Sequence, residues 1–357
     1  MTKFFYLAGT FLLACITVML IFHYGDIPNR QANGFKRNYL RHAWSGAHEI
    51  RLTDTLFDLV GYTSGNIYVS LAKEGELLQI SRRLPNTIKR IRIPFFEKFY
   101  DSLRFSSLAI KVDSPYIYLF AENKPAIVKT SFDSSLFDVR ILPAGGFTRE
   151  AMTDPDRIVL RKIDPAIHDQ QFVRYSFSTG DLKKESDIST VNGDGGIITD
   201  GQLHFDAVTA RLYYIYYYRN LLLSFDTTLR LVNNYHSIDT ARSFTIKTGL
   251  VANNGATGFT NITPSHMINK ENCVAGGLLF NMSGLKADND PDTLFSNNSI
   301  LDIIDLRTGI YLGSMHLPVV DGQKLSRFIV SDHRLIGLYT NSIVTYDLDT
   351  SLIQDSP

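Results

Sequence analysis

One stretch of the chain carries most of the side chains that could bind a ligand or transfer a proton. Its carboxylates, imidazole, phenols and guanidinium belong to Asp194, His204, Asp206, Tyr214, Tyr216 and Arg219. Side chains of a strand alternate between its two faces, so Tyr214 and Tyr216 lie on the same face. These six residues are the candidate ligand-binding residues. The alternative is a structural role, in which the tyrosines pack between sheets and His204 and Asp206 form a hydrogen-bonded pair.

The sequence supports no metal site and assigns no catalytic residue. Residues 288–292, Asp-Asn-Asp-Pro-Asp, resemble the opening of a calcium loop, in which alternating oxygen ligands hold the ion. Such a loop needs a glycine and a bidentate acid where this chain has Thr293 and Ser299, so a solvated loop is predicted. The nine histidines lack metal-binding spacing, and no nucleophile elbow or phosphate-binding glycine loop occurs. We therefore expect no cofactor, with calcium as the alternative.

A degenerate repeat, present in six copies, forms the elements that must position these side chains. Each copy is a short alternating apolar strand, a polar turn and another strand, which favours antiparallel hairpins. The turn residues after the central strands are Ser81, Asp133, Ser178, Asp226, Asp305 and Asp347. Four of their intervals of 52, 45, 48, 79 and 42 residues fit propeller blades of about 40 to 50 residues. The long interval predicts an insertion at about residues 246–299, in the fifth blade.

The last copy of the repeat is too short to complete a blade. Only ten residues follow Asp347, so the outer strand of the last blade must come from elsewhere. Residues 47–53, upstream of the first blade, can supply it, and this closure would protect exposed strand edges. The predicted fold is therefore all-β, a six-bladed β-propeller of four-stranded antiparallel blades over residues 47–357.

An uncharged apolar segment precedes the repeats. Residues 4–22 are long enough to cross a hydrocarbon core of about 30 Å as a helix, and no small-residue cleavage pattern follows them. We predict an uncleaved signal anchor, a transmembrane helix, over residues 1–23 and a polar tether over residues 24–46. The positive charges after the segment favour a cytoplasmic body. An all-β body on a short anchor is more typical of extracytoplasmic proteins, so we expect a single-pass protein whose body lies in the periplasm.

Composition and the repeat together narrow the class of partner. The chain has 36 basic and 36 acidic residues, so no basic field favours nucleic acid. The motif Asp305-Leu-Arg-Thr-Gly and its looser forms at Asp226 and Asp347 resemble the TolB-like and NHL-like group of bacterial six-bladed propellers. The resemblance covers residues 47–357 and implies ligand sites in the loops at one mouth of a central channel.

Two functions are consistent with this sequence. We expect a membrane-tethered module that binds a protein or a small-molecule ligand at the mouth of the propeller. The alternative is a calcium-dependent hydrolase, similar to a lactonase or esterase, with its site in the central channel.

Overall fold

The computed structural model describes most of the chain. The described residues are 9–19, 33–63, 65–71, 75–82, 87–93, 108–122, 125–132, 137–143, 145–184, 188, 190–240, 246–253, 256–262 and 267–349.

Most of the described chain forms antiparallel meanders of four strands, which we number sheets 1 to 6 in chain order. Sheets 1 and 2 are continuous, because a single parallel bridge joins Gly61 to Val112. Sheets 1 to 3 consist of β2 (Leu56–Tyr62), β3 (Asn66–Leu71), β4 (Glu76–Ser81) and β5 (Ile88–Arg92); β6 (Leu108–Asp113), β7 (Tyr116–Ala121), β8 (Ala126–Ser131) and β9 (Phe137–Ile141); and β10 (Phe147–Asp154), β11 (Arg157–Asp164), β12 (Asp169–Ser176) and β13 (Leu182–Lys184).

Sheets 4 to 6 follow the same plan, with one extra hairpin between sheets 4 and 5. Their strands are β14 (Gly201–Asp206), β15 (Arg211–Tyr216), β16 (Leu221–Asp226) and β17 (Leu231–His236); the separate hairpin β18 (Thr248–Asn253) and β19 (Ala256–Asn261); β20 (Asn269–Ala275), β21 (Leu278–Ser283), β22 (Asn298–Asp305) and β23 (Tyr311–Pro318); and β24 (Arg327–Ser331), β25 (Arg334–Leu338) and β26 (Ser342–Leu348), with β1 (Trp44–Arg51) at the edge of sheet 6.

Burial changes systematically from the first strand of a sheet to the last. The second strands are buried on both faces, as in Ile67–Leu71 of β3 and Ile117–Ala121 of β7. The fourth strands β5, β9 and β17 are mostly exposed. Runs of apolar and aromatic residues therefore form the second strands, because both faces of those strands must be covered by neighbouring sheets.

The hydrophobic core is divided into clusters that lie between successive sheets. Each cluster draws buried side chains from two neighbouring sheets, as the pairs Leu77 and Leu119, Phe120 and Phe147, Phe172 and Tyr214, Ile215 and Leu279, Leu301 and Leu335, and Ile343 and Ile67 illustrate. The last pair joins sheet 6 to sheet 1. The sheets therefore pack in a closed order, with the first strands β2, β6, β10, β14, β20 and β24 at the centre.

Strand β1 confirms the predicted closure. It pairs antiparallel with β26, from Trp44 opposite Leu348 to Arg51 opposite Ser342. The strand begins three residues earlier than predicted and ends at Arg51. The N-terminal part of the body thus supplies the outer strand of the C-terminal sheet and covers an edge that β26 would otherwise expose.

Residues 33–43, within the predicted tether, lie against sheet 5. Phe35 is buried in a small apolar cluster with Ile268 and Leu285. The buried Arg37 guanidinium forms ion pairs with Asp290 and Asp302, and the Tyr39 hydroxyl donates to Asp290. Residues 24–32 of the predicted tether lie outside the described residues. We call residues 33–43 the strap.

The prediction of a solvated loop at residues 288–292 is wrong for its centre. Asp290 is 3% exposed, and the Asn289 side chain accepts a hydrogen bond from the Arg37 backbone. The Asp288 carboxylate accepts hydrogen bonds from the backbone N–H groups of Asn33 and Gly34. The side chains of Asp288, Asn289 and Asp290 hold the strap, which lies more than 250 residues away along the chain and is not revealed by local composition.

The long interval between the fourth and fifth repeats contains regular structure. Within residues 246–299 the structure places the hairpin β18–β19, the strands β20 and β21, and a short helix at Asp292–Asn297, which we call α2. The extra chain therefore lies in two places, before β20 and between β21 and β22.

Residues 9–19, part of the predicted anchor, form a helix that we call α1. Its large apolar side chains, including Phe11, Leu13 and Met19, are exposed. Among the described residues, no helix is long and apolar enough to cross a membrane. The rest of the predicted anchor, residues 1–8 and 20–23, lies outside the described residues.

Candidate functional site

The predicted tyrosines belong to the core between sheets 3 and 4. Tyr214 and Tyr216 of β15 share one face, as predicted, and their rings meet edge to face at 5.0 Å. The Tyr214 hydroxyl donates to the carbonyl of Thr199, and burial raises the pKa of both phenols. Arg219, in the loop after β15, lies 5.6 Å from the Tyr216 ring centroid. These three residues are brought together, with the two phenols in the packed interior.

His204 and Asp206 lie on the first strand of sheet 4, but they do not form a pair with each other. The His204 Nε2 atom is 2.6 Å from Oδ1 of Asn272 on β20. Asp206 accepts hydrogen bonds from Thr209 in its own turn and from the backbone N–H of Gly277 in sheet 5. Burial lowers the pKa of His204 to about 4, so the imidazole is neutral near pH 7.

Asp194 organises the loop that leads into sheet 4. Its carboxylate accepts hydrogen bonds from the backbone N–H groups of Gly196 and Ile198. A side chain at Gly195 would meet the ring of Phe259 on β19, so this loop packs against the extra hairpin. The Gly196 carbonyl accepts a hydrogen bond from the buried Arg161 guanidinium. Asp194 therefore shapes a loop beside the channel.

A group of charged side chains on the first strands forms the site that sequence reasoning missed. We call it the channel group; its members are Asp58 on β2, Lys111 on β6, Glu122 just after β7, Arg149 and Glu150 on β10, Glu271 on β20 and Arg327 on β24. These residues are mutual neighbours, since Glu150 interacts electrostatically with Glu122, Lys111, Arg149 and Asp58. Side chains from five inner strands thus converge on one centre.

The members of the channel group lie at successive depths along the first strands. In a closed ring of meanders every first strand runs in the same direction, so equivalent positions lie at similar depth. Asp58, Arg149, Glu271 and Arg327 fall within the first three residues of their strands. Counted by strand pairing, Glu150 lies one step deeper, opposite Leu160, whereas Lys111 and His204 lie two steps deeper, opposite Tyr118 and Tyr213. Glu122 lies in a loop at the same end as the strand starts, which we call the entry end.

Hydrogen bonds and ion pairs link four consecutive inner strands at the entry end. Gln202 on β14 donates to Glu271 at 2.9 Å, and Arg327 donates to the same carboxylate at 3.1 Å. The Arg327 Nε atom also lies 3.6 Å from Asp58. Glu271 and Asp58 are thus paired with a cation.

Arg149 extends this linkage to a fifth inner strand. It pairs with Asp200 at 2.9 Å and donates to the carbonyl of Gly201 at the start of β14. The Arg149 guanidinium also lies 5.5 Å from the Tyr217 ring centroid. The wall of the channel from β10 through β14, β20 and β24 to β2 is therefore internally neutralised.

On the remaining side of the channel, the charged groups interact with each other and with Arg149 only at longer range. Within the described part of the chain, no hydrogen bond or close ion pair is made by the side chains of Lys111, Glu122 or Glu150. All three side chains are only partly buried. Their capacity for hydrogen bonds is therefore unused among the described residues.

Three carboxylic acids of the group have strongly raised pKa values. Burial raises the pKa of Glu122, Glu150 and Glu271 to about 7 each, and burial also raises the pKa of Asp58. The Glu122 carboxylate adds to the shift at Glu150, while Lys111 and Arg149 oppose it. Acids that titrate near neutral pH cluster at functional sites, because only there is such a cost commonly retained.

The described residues contain no cluster of three or more histidine, cysteine or acidic side chains with the geometry to hold a metal ion.

A local signal for the channel group does exist in the sequence. In two of the first strands a charged residue interrupts an apolar stretch, Asp58 in Leu-Phe-Asp-Leu and Lys111 in Ala-Ile-Lys-Val. Aligning the starts of the six first strands would have placed these residues together.

The closed order of antiparallel sheets and the charged centre define the class, and solved structures support it. The chain is a β-propeller protein. It is similar to virginiamycin B lyase from Staphylococcus aureus, with 9% identity over 85% of this chain and 99% of that one and a TM-score of 0.51. It is also similar to a member of the DUF4221 family from Bacteroides vulgatus, with 11% identity over 88% and 99% of the two chains and a TM-score of 0.52. At these identities the similarity is one of fold. No family model matches the sequence, and no curated protein matches it.

Proposed function

We propose that this propeller is a binding module that takes a small polar ligand at the entry end of its central channel. The observation that carries the proposal is the pair Glu122 and Glu150, whose carboxyl groups have no hydrogen-bonded partner among the described residues although burial raises the pKa of each to about 7. A structural role would be expected to neutralise both carboxylates, as Arg327 neutralises Glu271. A ligand that supplies the missing partners would recover the free energy that their burial costs.

The loops around the entry end favour the same location. The loop containing Asp194 and the hairpin β18–β19 contact each other through Gly195 and Phe259, and both connect consecutive sheets at this end. Loops on a rigid scaffold are common sites of recognition. We assign them to the rim of the site.

A thermal-stability screen of the full chain against amino acids, amines, dicarboxylates and sugars tests this function. We expect at least one class to raise the unfolding temperature, because a ligand bound only by the native state stabilises it. The Glu150→Gln variant should lose this response, whereas Glu49→Gln on the outer strand β1 should retain it. A response that is unchanged in Glu150→Gln would place binding outside the channel.

Hydrolysis is the second candidate function. A carboxylic acid with a pKa near the working pH can accept a proton from water and return it to a leaving group, and Glu150 meets this requirement. Turnover of lactone or ester substrates by the purified chain, lost in Glu150→Gln, would favour this function over binding alone. Elemental analysis of the same preparation tests the calcium-dependent form.

We further propose that the chain is anchored in a membrane with its propeller outside the cytoplasm. The exposed apolar surface of α1, with Phe11, Leu12 and Val18, favours a lipid environment. A reporter fused after Pro357 that is active only outside the cytoplasm tests the orientation. A silent reporter on a correctly folded, membrane-bound protein would reverse it.

We also propose that the propeller has six blades. The support is the set of six clusters between successive sheets, the last of which joins sheet 6 to sheet 1. An experimental density map of the purified chain with another blade count would overturn the proposal.

A further inference from the structure

The distribution of charge partners around the channel group indicates the chemistry of the ligand. On the neutralised side, each carboxylate already has a cation: Glu271 and Asp58 share Arg327, and Asp200 binds Arg149. A ligand charge placed there would have to compete with a pair that exists in the protein. The neutralised side therefore offers little affinity for a charged ligand group.

The other side presents charges of both signs that interact electrostatically but form no hydrogen bond or close ion pair with any of the described residues. Glu122 and Glu150 contribute two carboxylates, and Lys111 contributes an ammonium on the neighbouring strand β6. Glu150 and Lys111 lie on neighbouring first strands, one pairing step apart in depth, and they interact electrostatically. His204 lies at the depth of Lys111, but its imidazole already contacts Asn272. A ligand at this level thus faces an anionic and a cationic group side by side.

The two signs place different demands on the ligand. An ammonium group can donate several hydrogen bonds to carboxylates, and these are stronger than bonds between neutral groups. A carboxylate of the ligand can likewise accept a hydrogen bond from the Lys111 ammonium. A ligand with only a cation would leave the Lys111 ammonium without a hydrogen-bonded partner among the described residues, and one with only an anion would be repelled by two glutamates.

We infer that the site formed by Lys111, Glu122 and Glu150 binds a zwitterionic ligand, an amino acid or short peptide with a free ammonium and a free carboxylate. The ammonium lies between Glu122 and Glu150, and the carboxylate lies on Lys111. This inference rests on the proposed binding function, and it names the ligand class of that site.

Binding measurements with three matched probes test the inference on the full chain. The probes are alanyl-alanine, its N-acetylated form, which lacks the ammonium, and its C-terminal amide, which lacks the carboxylate. We expect alanyl-alanine to bind and each blocked form to bind at least about tenfold more weakly, since each loses one charge-assisted contact. Equal affinity of the N-acetylated form and the free dipeptide would overturn the inference.

Two variants separate the assigned contacts. Lys111→Met should weaken binding of alanyl-alanine and leave binding of its amide unchanged, because the amide has no carboxylate to lose. Glu150→Gln should weaken binding of both. Lys89→Met, on the exposed outer strand β5, is the matched control and should bind like the unmodified chain. An unfolding transition measured for each variant shows that it remains folded.

The outcomes distinguish the inference from the proposed function. If no zwitterion binds but another small polar ligand does, and Glu150→Gln abolishes that binding, the inference fails and the binding function stands. If no ligand depends on the channel residues, both fail.

Discussion

At the scale of single residues, Glu150 shows how position changes the chemistry of a side chain. Its carboxyl group has a pKa of about 7 instead of 4.5, first because of burial and then because of the neighbouring Glu122. The native state therefore holds this proton more tightly than the unfolded chain does. Stability from this group is present below about pH 4.5 and is lost as the pH rises through about 7.

The Glu150→Gln variant should remove this pH dependence, because glutamine does not titrate. We expect the variant to be more stable than the unmodified chain at pH 8, by roughly 1 to 2 kcal/mol, and nearly equal to it at about pH 4. Chemical denaturation across this pH range measures the difference. Glu49→Gln is the control, and a constant offset between Glu150→Gln and the unmodified chain at all pH values would contradict the assignment.

At the scale of elements, the strap shows that a polar segment can be a fixed part of the body. Arg37 is buried between Asp290 and Asp302, and its guanidinium also donates to the carbonyl of Leu285. Burial acts to lower the pKa of Arg37, but the two carboxylates raise it above its usual value, so the side chain stays charged. This arrangement joins the start of the body to two segments of sheet 5.

Replacing Arg37 by methionine should destabilise the protein by about 3 to 5 kcal/mol, because it leaves buried carboxylates without their cation. The unfolding midpoint in denaturant measures the loss, and proteolysis of the strap should become faster. Lys36→Met, on the exposed neighbouring residue, should change stability little. Equal effects of the two substitutions would show that the ion pairs do not hold the strap.

The bridge between sheets 1 and 2 depends on a residue without a side chain. A Cβ atom at Gly61 would lie 2.4 Å from the carbonyl oxygen of Val112, whereas one at Gly65 would meet nothing within 4 Å. We expect Gly61→Ala to lower the free energy of unfolding by about 1 to 3 kcal/mol through this clash. Gly65→Ala, measured in the same denaturation experiment, should lie within about 0.5 kcal/mol of the unmodified chain.

At the scale of the whole molecule, the ring is closed by β1, which pairs with β26 along its full length. A chain that begins at residue 33 retains this strand and the strap, and it should unfold cooperatively. A chain that begins at residue 52 exposes the edge of β26. We expect its free energy of unfolding to fall by several kcal/mol, out of a total of about 5 to 15 kcal/mol for a domain, and we expect it to aggregate through the exposed edge. Size-exclusion chromatography of the two chains, combined with thermal unfolding, tests this expectation.

The parts of this structure that depend on local pattern could be predicted from the sequence. The repeat predicts the antiparallel hairpins and the closing strand β1, because alternation and turn residues are local signals. The channel group was missed because Lys111, Glu150 and Glu271 become neighbours only when the ring closes. Arg37 was assigned to a tether because nothing beside it in the sequence points to Asp290, 253 residues away.

The strap and β1 also set an order in time. They precede every sheet of the body in the sequence, yet their partners Asp302, Ser314 and residues 342–348 lie in the last two sheets. During synthesis, the strap and β1 must therefore wait for at least four sheets of the body before they can bind. Contacts between such distant segments form slowly, so completion of the ring is expected to be the late step of folding.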